Sequence, residues 1–257
     1  MPQLNANIDY LFLESGDLAA RMAAAARAGF RGVEMLRPYA MPAPELARAA
    51  QAAKVEVVLI NVPPQPGEMG NAAIPGAESA FEAEFARAMD YAVALKSPRI
   101  HMLSGRADPG DAAARETLIG NLRRAAPVAA AEGITLLIEP LNGHDQPGYF
   151  LNSVEQGLEI VAAVGLANVR LQFDCYHTAV QQGDVARRMQ AALPLTGHIQ
   201  IAGPPHRVEP DKGEVNYPYL LGLLDAWGYD GWVGLEYRPS VDTASALAWA
   251  AGYGIRA

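Results

Sequence analysis

One cysteine, Cys175, stands among 257 residues, which excludes an intramolecular disulfide framework and fits a reducing compartment. Positive charge is in deficit: 20 Lys and Arg against 28 Asp and Glu leave a formal net charge of -8. Bulk nucleic-acid binding needs a basic footprint, so no nucleic-acid partner is expected, and a DNA-repair nuclease is disfavoured. Long apolar runs are missing too. None approaches the roughly 18–20 residues that span a bilayer, so no membrane partner is expected. The stretch Met1-Pro2-Gln3-Leu4-Asn5-Ala6-Asn7 has no basic segment followed by an apolar one, which predicts no signal peptide and a cytoplasmic location. With five His and no Cys cluster, a structural zinc site is disfavoured.

What is present is alternation. Short runs rich in Val, Ile and Leu alternate with longer Ala-rich stretches of helical period, the pattern of repeated βα units on a parallel sheet. Strands are predicted over Asn5–Tyr10, Gly32–Met35, Glu56–Asn61, Pro98–Leu103, Thr135–Glu139, Val169–Asp174, Gly197–Ile201 and Trp232–Glu236. Asp17 is placed to cap a helix running to Ala28, which Gly29 stops. Ser153 caps another, with Gln156 at the capping-box position and Gly165 as its stop. Phe81, Phe85 and Met89 recur at i+4 and predict a helix face packed on the barrel. No Gly-x-Gly-x-x-Gly turn follows the first strand and no Gly-x-x-x-x-Gly-Lys-Ser/Thr loop occurs, which disfavours an open doubly wound sheet. Length and eight even units predict a (β/α)₈ TIM barrel, one domain spanning residues 1–257. Residues 61–76, with four prolines and three glycines, and residues 202–216 are read as long βα loops over the active face.

In such a barrel the reactive side chains stand where strands end. The last four predicted strands carry Glu139, Asp174, Gln200 and Glu236 at or near their carboxyl ends. Carboxylates crowded at an apolar mouth repel one another and lose hydration, and a hard divalent cation resolves that conflict. Oxygen donors of this kind suit one Mg²⁺ or Mn²⁺. Glu139 and Glu236 lie on strands five and eight and so approach a substrate from different sides. That suits proton removal from one carbon and delivery to its neighbour through an enediolate.

At these residues the chain resembles a known family. The segments Ala28-Gly29-Phe30-Arg31-Gly32-Val33-Glu34, Leu137-Ile138-Glu139-Pro140-Leu141-Asn142, Gln172-Phe173-Asp174-Cys175-Tyr176-His177, His198-Ile199-Gln200-Ile201-Ala202, Gly213-Glu214-Val215-Asn216-Tyr217 and Gly231-Trp232-Val233-Gly234-Leu235-Glu236-Tyr237 are similar to hydroxypyruvate isomerases, which are xylose-isomerase-like barrels. The resemblance runs from Asn5 to about Trp249. It implies that Glu139, Asp174, Gln200 and Glu236 bind the metal and that Glu139 and Glu236 are the proton-transfer pair. The implied reaction interconverts hydroxypyruvate and tartronate semialdehyde. Isomerisation of four-carbon 2-oxo-tetronates and 3-epimerisation of ketoses are the alternatives on the same site. Endonuclease-IV-like members use several metals and many His ligands, a pattern this chain departs from.

Further residues are weighed for the substrate, a small hydroxy-oxo acid or sugar. His177 follows Asp174 by three and is read as a substrate contact beside the metal. Arg106, His206 and Arg207 lie in predicted active-face loops and are candidates for holding a substrate carboxylate. Glu34 ends strand two and is placed to orient a substrate hydroxyl or the metal shell, and Asn61 ends strand three. His101 can face either side of its strand, and His144 is read as solvated. His198, two before Gln200, points to the same side and is placed to support the site from a deeper layer. Cys175 is read as packing. Association into a homo-oligomer is left open.

Overall fold

The computed structural model of the chain describes residues 2–64 and 69–256. Residues 65–68 of the expected loop at 61–76 lie outside them. Eight parallel strands close into a barrel in sequence order: β1 (Gln3–Asn7), β2 (Gly32–Met35), β3 (Glu56–Asn61), β4 (Arg99–His101), β5 (Thr135–Ile138), β6 (Val169–Asp174), β7 (Thr196–Ile201) and β8 (Trp232–Leu235). Closure is made by β1 against β8, from Gln3 beside Trp232 to Ala6 beside Leu235. Helices α1 (Leu18–Arg27), α2 (Ala43–Ala53), α3 (Glu78–Leu95), α4 (Ala112–Ala131) and α5 (Val154–Val164) follow the first five strands. The pair α6 (Cys175–Gln181) and α7 (Val185–Ala192) follows β6, α8 (Tyr217–Ala226) follows β7, and the short α9 (Thr243–Ala246) follows β8.

Five strands differ from expectation at their ends, β7 only by starting at Thr196 instead of Gly197. The first strand begins at Gln3, where it pairs with β8, and stops at Asn7 rather than Tyr10. The Asn7 carbonyl accepts from the N–H groups of Tyr10 and Leu11, and its side chain accepts from Asp9 N at 3.1 Å, so the chain turns there. The fourth strand is shorter than Pro98–Leu103 at both ends, and at its start Pro98 has no N–H to donate. Glu139 and Glu236 fall just past β5 and β8, at the barrel mouth.

The expected caps form. Asp17 accepts from Ala20 N at 2.9 Å, and Gly29 sits at φ 97 beyond α1. Ser153 Oγ accepts from Gln156 N at 3.2 Å, while Gln156 Oε1 reaches Asn152 N at 3.0 Å, one residue before the usual reciprocal partner. Phe81, Phe85 and Met89 are all buried along α3, with the two rings stacked 6.3 Å apart. The stretch between β7 and α8 folds on itself through an antiparallel bridge between Gly203 and Val208 and a 3₁₀ turn over Pro210–Lys212. No helix among the described residues is long and apolar enough to cross a membrane.

Candidate active site

The carboxyl ends of β5 to β8 bring Glu139, Asp174, Gln200 and Glu236 to one end of the barrel, all of them buried. They are linked as two pairs. Gln172 Nε2 donates to Glu139 Oε2 at 2.9 Å and to Gln200 Oε1 at 2.6 Å. Arg207 Nη2 donates to Glu236 Oε1 at 2.6 Å and lies 3.6 Å from Asp174 Oδ2. Asp174 is aimed by its own place in the chain. As N-cap of α6 it accepts from Tyr176 N at 2.6 Å and His177 N at 3.3 Å on Oδ1, which leaves Oδ2 turned into the site.

The electrostatics of this end are strained toward the neutral acids. Burial, then the facing charges of Glu236 and Asp174, hold the Glu139 carboxyl well above the ordinary carboxylate range. Burial raises Asp174 as well, against the opposing pull of Arg207 and the two helix N–H groups. Glu236 is pushed up to about 8, again by burial, with Arg207 opposing and Asp174 and Glu34 adding. Glu139 Oε1 and Asp174 Oδ2 are buried without a hydrogen-bond partner. A group of ligand atoms from Glu139, Asp174 and His177 lies within 4.8 Å of one another. Unpartnered carboxylate oxygens in a buried acidic cluster are a donor set that fits a hard divalent cation.

His177 has a more specific part than its spacing suggested. Its Nδ1 accepts from Asn142 N at 3.0 Å, and the Asn142 side-chain amide lies 2.7 Å from the same atom. Burial drives the ring to its neutral form, so its proton sits on Nε2, the atom 3.8 Å from Asp174 Oδ2. His177 thus presents an N–H donor to the site rather than a lone pair.

Beneath the acids lies a second polar layer. Glu34 is fully buried and accepts from Asn5 Nδ2 (2.8 Å) and His198 Nε2 (2.7 Å) on Oε2. Its Oε1 accepts from Asn7 Nδ2 (3.0 Å) and Gln200 Nε2 (2.8 Å). Burial works to raise Glu34, but His198 and the hydrogen bonds outweigh it, so the carboxyl falls below its ordinary value. His198 is pushed the other way by burial, and its Nδ1 has no partner. A protonated Nδ1 there would be an unsatisfied buried donor, so the pair is a carboxylate accepting from a neutral imidazole N–H. His198 and Gln200 do point to the same side, as their spacing predicts.

The loop cations divide. Arg207 is buried, with φ 56, and its guanidinium carbon lies 5.1 Å from the Tyr10 ring centre and 5.2 Å from that of Tyr176. Arg106 and His206 are exposed, as is His144. Cys175 is buried at the start of α6. Asn61 is buried with its Oδ1 unpartnered. His101 faces the interior with Nδ1 3.4 Å from Glu139 Oε2, and burial lowers it to about 3. Sequence reasoning passed over Gln172, Asn5, Asn7, Tyr10 and the support Asn142 gives His177. The readable signal was a polar residue inside an apolar strand: Gln172 is two before Asp174, and Asn5 and Asn7 alternate along β1.

Comparison with known proteins places this geometry in context. Residues 22–253 match the family model described as the xylose isomerase-like TIM barrel. The 2-oxo-tetronate isomerase of Cupriavidus necator is 46% identical over 98% of this chain and 99% of its own length. The hydroxypyruvate isomerase of Escherichia coli is 40% identical over 97% of this chain and 98% of its own. The crystal structure of an AP endonuclease, family 2, from Brucella melitensis superposes with a TM-score of 0.96 at 42% identity, covering 99% of this chain and 100% of that one.

Proposed function

This chain belongs to the xylose isomerase-like TIM barrel family, among its hydroxypyruvate and 2-oxo-tetronate isomerases, and on that premise we propose a metal-dependent interconversion of hydroxypyruvate and tartronate semialdehyde. The observation that carries the reading is the pair Glu139 and Glu236. They rise from opposite flanks of one buried acidic cluster, and each is held above its ordinary pKa by burial. One Mg²⁺ or Mn²⁺ would be held by Glu139, Asp174, Gln200 and Glu236. When bound it supplies Lewis-acid polarisation of the carbonyl and hydroxyl oxygens of the substrate.

The remaining work falls to side chains. One glutamate takes the proton from the hydroxyl-bearing carbon, the other returns a proton to the former carbonyl carbon, and the hydroxyl proton passes to the former carbonyl oxygen, so nothing is gained or lost overall. The Nε2–H of His177 donates to a substrate oxygen beside Asp174. Arg207 holds the substrate carboxylate and, between substrates, neutralises Glu236. The buried setting keeps bulk water from the carbanion-like intermediate. The protein would act on small molecules alone, in the cytoplasm, as one barrel domain over residues 1–257.

A second reading is isomerisation of a four-carbon 2-oxo-tetronate, favoured by the higher identity to the C. necator enzyme (46% against 40%). The test is parallel turnover of hydroxypyruvate and a 2-oxo-tetronate by protein loaded with Mn²⁺. Faster kcat/KM on one substrate assigns it. Turnover of neither, with cleavage of abasic duplex instead, would overturn the isomerase reading.

A further inference from the structure

The side-chain amide of Gln200 has two faces, and a metal ligand needs the oxygen. A glutamine is nearly symmetric in shape, so packing alone does not decide which face it presents; its hydrogen-bond partners do. In this barrel the amide meets Gln172 on its oxygen and Glu34 on its nitrogen, and of the two only Glu34 is a carboxylate. We infer that Glu34 is a positioning residue, which fixes the amide of Gln200 so that its oxygen rather than its nitrogen faces the acidic cluster. The inference rests on the reading of Gln200 as a ligand and adds the residue that makes it one.

Three observations and one rule of hydrogen bonding carry it. Both Glu34 oxygens are saturated by donors from Asn5, Asn7, His198 and Gln200, so no lone pair is left to orient a substrate hydroxyl. An ionised carboxylate is an acceptor only, so the Gln200 group that faces it has to be the NH₂. The Gln200 oxygen then points to Gln172 Nε2 at 2.6 Å, which occupies one of its two lone pairs and leaves the other for a cation. Finally, the space Glu34 fills is kept open by Gly234 on β8, with β1 between it and β2: a Cβ at that position would stand 2.5 Å from Glu34 Oε2. The carboxylate is therefore held inside the barrel, among side chains of β1 and β7 and against Gly234 of β8.

Replacing the carboxylate by its isosteric amide removes this selection. Glu34→Gln offers an NH₂ as readily as an oxygen, and Gln200 can turn its own nitrogen toward the acids. The donors Asn5 Nδ2 and His198 Nε2 keep an oxygen at the Oε2 place, so the new NH₂ takes the Oε1 place, facing Gln200 and Asn7.

The test measures the dissociation constant of Mn²⁺ alone, from the electron paramagnetic resonance signal of the free ion, in protein stripped of metal. Glu34→Gln is expected to weaken Mn²⁺ binding by about 10–100-fold, the usual effect of losing the partner that orients a ligand. The double variant Glu34→Gln/Gln200→Glu is expected to bind within a few-fold of the unsubstituted protein, because a carboxylate has no wrong face. Unchanged Mn²⁺ affinity in Glu34→Gln, with Gln200→Leu weakened, would overturn the positioning role alone. Unchanged affinity in Gln200→Leu would overturn the ligand reading itself and this inference with it. Should the single Glu34 variant fail to fold, the double variant decides: tight binding supports the role and loss of binding overturns it.

Discussion

Arg207 Nη2 stands 2.6 Å from Glu236 Oε1, a buried ion pair at the site where the carboxylates crowd together. The same nitrogen is 3.6 Å from Asp174 Oδ2, so one guanidinium serves two acids. Above about pH 8, where Glu236 is ionised, removing one partner of this buried pair leaves the other charge uncompensated, at a cost of about 3–5 kcal/mol. Arg207→Ala should therefore lower the unfolding free energy of metal-free protein by that amount, read as a lower urea midpoint, and Mn²⁺ should restore more stability to the variant than to the unsubstituted chain. A midpoint unmoved by the substitution would mean the pair contributes nothing net.

The proton-transfer pair predicts a loss of rate without a loss of fold. Glu139→Gln and Glu236→Gln should each lower kcat by about 10²–10⁴-fold, the usual contribution of a general acid or base. Circular dichroism of each variant should match the parent. Residual turnover within threefold of the parent in either variant would remove that glutamate from the chemistry.

Glu236 makes stability depend on pH in a defined sense. Its pKa is raised in the folded chain to about 8 from an ordinary value of 4.5, so its contribution is fully present below the ordinary value and is lost as pH rises through the raised one. Metal-free protein should thus lose stability between about pH 5 and pH 8 through this group. Binding a cation requires the ionised acids, so the gain in Tm from Mn²⁺ should grow across the same window. At Mn²⁺ a hundredfold above its Kd the gain should be about 2.7 kcal/mol, or about 5–10 °C in Tm. Scanning fluorimetry from pH 5 to 8 checks this, and an increment flat with pH would contradict it.

Gly234 is held small by Glu34. Gly234→Ala forces the new methyl against the carboxylate, and overpacking of this kind costs about 1–3 kcal/mol. The urea midpoint should fall accordingly. No change would show that the Glu34 side chain relocates freely, which would also weaken its role in orienting Gln200.

Much of this was legible in the residue order. Buried parallel strands are near-continuous apolar runs, so all eight were found, and errors stayed at the ends where a side-chain turn such as that of Asn7 stops the ladder. Acids that end such runs, Asp174 above all, announce themselves against an apolar background. Less legible were partners chosen across the barrel. Arg106, His206 and Arg207 look equivalent as loop cations, yet only Arg207 is buried, because the Gly203–Val208 bridge and a left-handed φ turn it inward. Because its position ends a strand, Glu34 is expected from sequence to orient a substrate hydroxyl or the metal shell; its four donors come from β1 and β7, which no local pattern reveals.

By itself the sequence determined the barrel, the order of its strands and the acids at their ends, because periodicity and strand termination are local properties of the chain. Tertiary structure decided which lone pairs are free and which are taken. Hydrogen-bond direction across 29 to 166 residues of separation, as between Glu34 and Asn5 or Gln200, depends on strands meeting in space. So does the loss of solvent that raises Glu139 and Glu236, since burial belongs to the closed barrel and to no single segment of it.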